Sequence, residues 1–297
     1  MKTTKNIFGI ALALTCSLAA TLKAQDLYVC NVGTGTIGEF TTSGATVYAP
    51  LISGLDGPFA IAISGNDLFA ANYWGGTVGE YTTSGATVNA SLISGLSFPA
   101  GIAVSGNDLY IANAGGTTGS GIVGEYATSG ATVNASLISG LNFPFGIAIT
   151  GNNLFVPSVN GTVGEYTTSG AAVNASLISG LNDPIDIAIS GDNLFIPNDG
   201  NGTISEYTTA GAVIHASLIS GLSVIEGMAI SGNDLFVANY YGGTVAEYTT
   251  SGATVNASLI SGLNDPGGIA ISPVPEPSAG TLAGLGAAAL WLCRRRK

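Results

Sequence analysis

A unit of about forty-one residues is repeated six times along this chain, between Asp26 and Ser272. Each copy opens with an acidic or amide residue, then leucine, then an aromatic residue. The six openings are Asp26-Leu27-Tyr28, Asp67-Leu68-Phe69, Asp108-Leu109-Tyr110, Asn153-Leu154-Phe155, Asn193-Leu194-Phe195 and Asp234-Leu235-Phe236. Successive openings lie 41, 41, 45, 40 and 41 residues apart. Such a period indicates supersecondary units that bury their apolar faces only by stacking on one another.

Each repeat contains four short runs of strand-forming residues. In one copy these runs are residues 67–72, 77–82, 86–93 and 101–105. They are rich in Val, Ile, Thr, Tyr and Phe, and the breaks between them carry Gly, Asn and Ser, which tolerate positive φ. Four antiparallel strands in about forty residues are typical of a propeller blade. The sequence therefore predicts an all-β fold for residues 25–272, a six-bladed β-propeller of four-stranded antiparallel blades.

The order of the runs predicts that the ring is closed. The repeat region begins with the second run of a repeat, at Asp26, and ends with a first run, at residues 268–272. The last run would then complete the first blade and hide strand edges that an open stack exposes to aggregation. An open solenoid should instead carry atypical capping units at its ends, which this sequence does not show.

The repeat motif resembles that of the NHL-like propellers. It reads Gly-Ile-Ala-Ile-Ser-Gly-Asn-Asp-Leu-Phe-Val-Ala-Asn-x-x-Gly-Gly-Thr-Val-x-Glu-Tyr, and the resemblance spans the whole repeat region. It implies that the Gly-Ile-Ala run is the innermost strand of each blade, around the central axis. The other three strands would follow in order toward the outside. Charged residues usual in such repeats are replaced here by Thr, Gly and Glu.

Charge is distributed unevenly along the chain. All seven basic residues lie near the two ends, whereas the repeat region holds seventeen of the eighteen acidic residues and no lysine or arginine. Phosphate binding needs cations, so this composition argues against nucleic acid as a partner. Cys30 is the only cysteine of the repeat region, which therefore cannot form an internal disulfide. We expect Cys30 to be a small buried apolar residue.

The N-terminal segment has the pattern of a secretory signal peptide. Lys2 and Lys5 precede an apolar stretch over residues 7–20, and a plausible cleavage site follows Ala24. Residues 1–24 are therefore predicted to be a signal helix outside the propeller, removed by signal peptidase. The chain is predicted to be exported.

The C-terminal segment, residues 273–297, resembles the PEP-CTERM sorting signal. Its motif is Pro275-Glu276-Pro277, followed by an apolar stretch over residues 279–293 and by three arginines and a lysine. The resemblance implies recognition by an exosortase and export alongside exopolysaccharide, to the envelope, surface or extracellular matrix of a Gram-negative-type bacterium. The apolar stretch is short for a membrane span, so we expect a hydrophobic helix that inserts transiently before processing.

Comparison of the six copies predicts that sequence diversity lies on one face of the ring. The first-to-second and third-to-fourth connections barely change, whereas the second-to-third and blade-to-blade connections vary and must emerge on the opposite face. Aromatic residues in the variable connections are Phe59, Phe98, Phe143, Phe145, Tyr73, Trp74, Tyr240 and Tyr241. Before the inner strands of the later copies stand the acidic residues Asp183, Asp186, Glu226 and Asp265, and one second-to-third connection reads Asn198-Asp199-Gly200-Asn201.

Aromatic rings beside carboxylates and amides suit a sugar, because rings cover the apolar faces of a pyranose while polar groups bond its hydroxyls. We therefore expect a non-catalytic binding or structural module, with exopolysaccharide as the preferred ligand of the aromatic set. Calcium is a second candidate ligand, at the four acidic residues, and no other cofactor is expected. The alternatives are neutral drift of loops that partly pack between blades, and a propeller-type hydrolase or lyase with an acidic, metal-binding channel.

Overall fold

The computed structural model describes residues 25–273, and Asp26–Ser272 forms a closed ring of six four-stranded antiparallel sheets. The predicted six-bladed propeller is confirmed. The predicted signal helix of residues 1–24 and the hydrophobic helix of the tail lie outside the described residues. Among residues 25–273 there is no helix with the length and apolar character needed to cross a membrane.

Each blade runs from an innermost strand at the axis to an outermost strand at the perimeter. The innermost strands are β4 (Pro58–Ser64), β8 (Pro99–Ser105), β12 (Ala148–Thr150), β16 (Ala188–Ser190), β20 (Ile225–Ser231) and β24 (Pro266–Ile271). The second strands are β1 (Asp26–Asn31), β5 (Asp67–Asn72), β9 (Asp108–Asn113), β13 (Asn153–Ser158), β17 (Asn193–Asn198) and β21 (Asp234–Asn239). The third strands are β2 (Thr36–Thr41), β6 (Thr77–Thr82), β10 (Gly121–Ala127), β14 (Thr162–Thr167), β18 (Thr203–Thr208) and β22 (Thr244–Thr249). The outermost strands are β3 (Thr46–Ser53), β7 (Thr87–Ser94), β11 (Thr132–Leu141), β15 (Ala172–Ser179), β19 (Val213–Ile219) and β23 (Thr254–Ser261).

Two short 3₁₀ helices, Val32–Thr34 and Asp199–Asn201, lie in second-to-third connections.

The third-to-fourth turns have a common geometry that explains their constant sequence. In one of them the Gly85 N–H donates to the Thr82 carbonyl at 2.9 Å, and the Ala86 N–H donates to Thr82 Oγ1 at 3.0 Å. Gly85 has φ +87°, a conformation that glycine adopts without a steric cost.

The ring closes through pairing of its last strand with its first. Leu27 lies opposite Ile271 and Val29 opposite Ile269, in antiparallel register. Beyond the ladder, the Asp26 N–H donates to Ser272 Oγ at 2.8 Å, and the Ser272 N–H donates to the Asp26 carbonyl at 2.9 Å. The predicted completion of the first blade by the C-terminal strand is thus confirmed, and both ends of the ring meet on the face of the constant turns.

The hydrophobic core consists of apolar layers between neighbouring blades. One such layer joins Phe69 and Val78 of one blade to Ile102 and Ile111 of the next. Each second strand contributes one buried aromatic residue at the same position, and these residues are Tyr28, Phe69, Tyr110, Phe155, Phe195 and Phe236. Full burial of a large apolar side chain stabilises a fold by about 1.5–3 kcal/mol. Because the ring has no lysine or arginine, stability depends on these layers and on the strand hydrogen bonds.

The outermost strands are edges, and their pairing is interrupted. In β7, Asn89 lies opposite Glu80 and Thr87 opposite Tyr81, so Val88 is an extra residue that forms a bulge. Similar register shifts occur in the other five blades. A bulged edge strand is a poor template for pairing with another chain.

Removal of the closing strand tests the dependence of the fold on closure. A version ending at Asp265 leaves the inner edge of β1 unpaired, whereas a version ending at Pro273 keeps β24. We expect the shorter version to aggregate or to lose cooperative thermal unfolding, as seen by size-exclusion chromatography and circular dichroism. The longer version should remain monodisperse, and equal behaviour of the two would contradict the role assigned to β24.

Candidate functional site

The two kinds of variable connection lie on the same face of the ring and contact each other. The Tyr73 N–H donates to the Gly57 carbonyl at 2.8 Å, and the Gly75 N–H donates to the Asp56 carbonyl at 3.2 Å. The Leu96 N–H likewise donates to the Gly76 carbonyl at 3.0 Å. We call the surface formed by the second-to-third and blade-to-blade connections the variable face.

An aromatic cluster occupies one side of the variable face. The Tyr73 ring is its centre, with ring centroids 5.3 Å from Phe59, 5.1 Å from Phe98, 6.3 Å from Phe145 and 6.3 Å from Trp74. Phe59 and Phe145 lie 5.9 Å apart. The structure therefore brings together residues from three successive blades that lie up to eighty-six positions apart in sequence.

Several aromatic residues of the variable face remain accessible to solvent. Trp74 is 56% exposed, Phe98 38% and Tyr241 75%, whereas Tyr73 and Phe143 are half-buried. The Trp74 ring lies directly against Gly57, where any side chain would overlap it. Tyr241 packs edge-on against Tyr240, with ring centroids 5.3 Å apart. Part of the predicted aromatic set thus packs within the protein, and part offers open ring surface.

Backbone strain is concentrated in the blade-to-blade connections. Among residues 25–273, four residues other than glycine have positive φ, and they are Phe98 (φ 55°), Phe143 (φ 45°), Asp183 (φ 52°) and Asp265 (φ 52°). The first repeat has Gly57, with φ 67°, at the equivalent position before proline. The left-handed conformation costs about 1–2 kcal/mol for a residue with a Cβ. Glycine would remove this cost, so the chain retains phenylalanine and aspartate at these positions against the backbone preference.

A cavity of about 110 Å³ lies on the axis, at the centre of the six inner strands. Its wall contains one large apolar side chain from each blade, and these residues are Ile61, Ile102, Ile147, Ile187, Met228 and Ile269. Two positions earlier in each repeat, nearer the variable face, the equivalent residues are Phe59, Ala100, Phe145, Ile185, Glu226 and Gly267. Five of these six line the same cavity, so its mouth combines two phenyl rings with one carboxyl group.

Asp186 lies between these two layers, at a position where the other five repeats have glycine or alanine. Its carboxylate accepts a hydrogen bond from the Met228 N–H of the next blade at 2.8 Å. Burial raises the pKa of Asp186 to about 7, and hydrogen bonds from the Ile187 and Met228 N–H groups oppose the shift. The Asp186 carboxyl group is therefore held by hydrogen bonds from two backbone N–H groups of the cavity wall.

Glu226 is partly buried at the mouth of the cavity, and its pKa is higher than that of Asp186. Burial raises the pKa of Glu226 to about 8, and the charges of Asp199 and Asp186 add to the shift. None of residues 25–273 donates a hydrogen bond to the Glu226 carboxyl. The pKa of Tyr73 is raised by burial and by Glu226, and that of Tyr240 by burial, Asp265 and Glu226. Both phenol groups are thus within electrostatic range of this carboxyl.

The four predicted acidic residues occupy three different places. Asp186 and Glu226 line the cavity, Asp183 is exposed on the loop before β16, and Asp265 lies in the loop before β24. Asp199, which the sequence places in a variable second-to-third connection, links them electrostatically, since its charge raises the pKa of Glu226 and the charge of Asp183 raises the pKa of Asp199. Within the described part of the chain no three His, Cys, Asp or Glu side chains form a group that could hold a metal ion. Calcium binding stays a prediction.

The glutamates that recur once per repeat belong to the scaffold. The Tyr28 hydroxyl donates to Glu39 at 3.3 Å, and Asn153 Nδ2 donates to Glu165 at 2.8 Å. His215, the single histidine of the chain, lies on β19 at the perimeter, with Nδ1 2.7 Å from Glu206 Oε2. These groups are outside the cavity lining.

Comparison with known proteins supports the fold and the sorting signal. Residues 273–297 match the family model described as the PEP-CTERM protein-sorting motif. The tail is a PEP-CTERM sorting signal. Such a signal implies recognition by exosortase-type processing and export to the cell envelope or surface. None of the curated proteins compared with this chain matches it.

Several solved structures are similar to this chain in fold at low sequence identity. One chain, from "Crystal structure of Nidogen/Laminin Complex", is 15% identical with a TM-score of 0.72, over 84% of this chain and 99% of that one. A protein of unknown function from Bacteroides caccae is 14% identical with a TM-score of 0.62, over 84% and 98%. A functionally unknown protein from Desulfotomaculum acetoxidans DSM 771 is 16% identical with a TM-score of 0.60, over 84% and 99%. At these identities the likeness concerns the fold alone.

The raised pKa of Glu226 predicts a pH-dependent gain in stability on substitution by glutamine. Its folded pKa of about 8 lies above the ordinary value of 4.5, so the folded state binds the proton more tightly than the unfolded chain. The stability that the folded state gains from this bound proton is complete below pH 4.5 and is lost as the pH rises through about 8. We expect the Tm of Glu226→Gln to match wild type at pH 4 and to exceed it by roughly 2–4 °C at pH 9, which corresponds to about 1 kcal/mol.

Asp192→Asn is the matched control for this measurement. Asp192 is exposed on a constant turn where four other repeats carry asparagine. Differential scanning calorimetry from pH 4 to pH 9 should show no growing difference between this variant and wild type. A constant offset for Glu226→Gln across the same range would show that Glu226 titrates normally.

Proposed function

We propose that this protein is an exported, non-catalytic binding module whose variable face recognises extracellular polysaccharide. The observation that supports this proposal best is that Phe98 and Phe143 adopt the strained left-handed conformation. Strain of this kind persists where surrounding structure or function requires the side chain. The left-handed conformation favours glycine, and the first repeat has Gly57, with φ 67°, at the equivalent position.

The chemistry of the variable face supports a sugar ligand. Trp74 and Tyr241 expose ring surface that can cover the apolar side of a pyranose, and neighbouring loops carry amide and carboxyl groups that bond hydroxyls. No lysine or arginine is present in the repeat region to attract an anionic polymer such as nucleic acid. A neutral or cationic polysaccharide therefore fits better than an acidic one.

The position of the chain ends is compatible with recognition at the variable face. Ser272, the last residue of the ring, is hydrogen-bonded to Asp26 on the face of the constant turns. The ring therefore begins and ends on the face opposite the variable face. We further propose that the tail inserts transiently in the membrane and directs the propeller to the envelope or matrix of a Gram-negative-type bacterium.

A hydrolase or lyase is the second candidate, and the paired carboxyl groups of the cavity favour it. Asp186 and Glu226 both have pKa values raised toward neutrality, a property of many acid and base catalysts. Incubation of the protein with polysaccharide from its own host distinguishes the two functions. New reducing ends that appear with wild type and not with Glu226→Gln would establish the enzyme, whereas the binding module releases none.

The binding proposal predicts the effect of removing exposed rings. We expect Trp74→Ala and Tyr241→Ala each to weaken glycan binding by about 1–2 kcal/mol, a factor of roughly 5–30. Each substitution removes the apolar contact between an aromatic ring and the sugar, and water in its place does not restore that contact. A glycan array followed by calorimetry measures the loss. The array is run with calcium and with a chelator, so that a metal requirement appears as binding in one arm alone.

Tyr48→Ala is the control for these variants. Tyr48 is 61% exposed, similar to Trp74, and lies on the outermost strand β3 rather than on the variable face. Its replacement should leave affinity unchanged. Equal losses in all three variants, or no binding of wild type to any glycan including the host polymer, would contradict the proposal.

A further inference from the structure

Glu226 is the group of the cavity that lacks a partner. Asp186, deeper in the cavity, accepts backbone hydrogen bonds from Ile187 and Met228. Glu226 accepts none from the described residues, and the carboxylates Asp199 and Asp186 both raise its pKa by their charge. A partly buried carboxyl without a donor, surrounded by like charge, is stabilised most by a cation.

The described ring supplies no such cation. The ring between Asp26 and Ser272 contains no lysine and no arginine, and His215 is at the perimeter on β19. When Glu226 is ionised, its counter-ion must therefore come from solution or from a ligand. This requirement is specific to Glu226, because the other five repeats carry Phe, Ala, Phe, Ile and Gly at the equivalent position.

The surroundings of Glu226 select an organic cation over a metal ion. Calcium takes six to eight oxygen ligands, whereas Asp186 and Glu226 are the two carboxyl groups of the cavity wall, and its other side chains are isoleucine, alanine, methionine and phenylalanine. Phe59 and Phe145 line the cavity together with Glu226, and Tyr73 packs on both rings. Aromatic faces attract an ammonium group, and the attraction increases where water is excluded.

We propose that the mouth of the axial cavity binds the ammonium group of an amino sugar, with Glu226 as counter-ion and Phe59 and Phe145 as the aromatic wall. This inference rests on the proposed glycan-binding function and names the class of sugar. Sugar units of the polysaccharide that carry a free amino group enter the cavity mouth, while Trp74 and Tyr241 contact neighbouring sugar units on the variable face. The N-acetylated sugar loses the charge and adds bulk, so it binds more weakly.

The test compares two tetrasaccharides that differ in charge. Isothermal titration calorimetry at 150 mM salt measures binding of the glucosamine tetramer and the N-acetylglucosamine tetramer to the exported protein, its Glu226→Gln variant and its Asp192→Asn variant. Wild type should prefer the amine by about tenfold, which corresponds to ~1.4 kcal/mol. Glu226→Gln should abolish the preference, and Asp192→Asn, which removes the same charge from the opposite face, should retain it.

The outcomes separate this inference from the function on which it rests. Equal binding of the two tetramers, or equal loss of preference in both variants, would overturn the amino-sugar site, since the second result means general attraction to an acidic body. If a neutral glycan still binds and Trp74→Ala weakens it, the glycan-binding function stands without this site. If wild type binds neither tetramer nor the host polymer, both are overturned.

Discussion

The antiparallel pairing of β24 with β1 is the interaction on which the rest of the structure depends. Apolar layers lie between blades, so a blade is stable only with a neighbour on each side, and the closing pair supplies the last neighbour. Ion pairs with lysine or arginine cannot compensate for a lost layer, because the ring contains neither residue. Closure also gathers six inner strands around one axis, and the cavity that contains Asp186 and Glu226 exists only because the ring is complete.

The two faces of the ring differ in which residues adopt positive φ. On one face, constant turns use glycine where positive φ is required, as at Gly85. On the other face, Phe98 and Phe143 adopt positive φ despite their bulk, and Trp74 and Tyr241 remain exposed. Variation tolerated on a rigid scaffold is how repeat proteins place different chemistry at equivalent positions without altering the core.

The aromatic residues of the variable face differ in their surroundings: some pack within the protein, and others expose ring surface to solvent. Tyr73 packs against four rings and contributes to the structure of the variable face itself. Tyr241, from a different blade, touches Tyr240 and is otherwise open to solvent. Packing between loops and presentation of ring surface are therefore combined in one feature, in which half-buried rings hold exposed ones in place.

The sequence by itself determined the blade number, the strand order, the closure and the C-terminal sorting signal, because each is encoded as a periodic pattern or as a contiguous motif. It predicted strand bounds within a few residues, for example 101–105 against Pro99–Ser105 in the structure. Tertiary structure alone decided that Glu226 meets Phe59 and Phe145 at one cavity mouth, since these residues lie in different blades. It also decided the raised pKa values of Asp186 and Glu226, which arise from desolvation and neighbouring charge, and both depend on the three-dimensional surroundings that the closed ring creates.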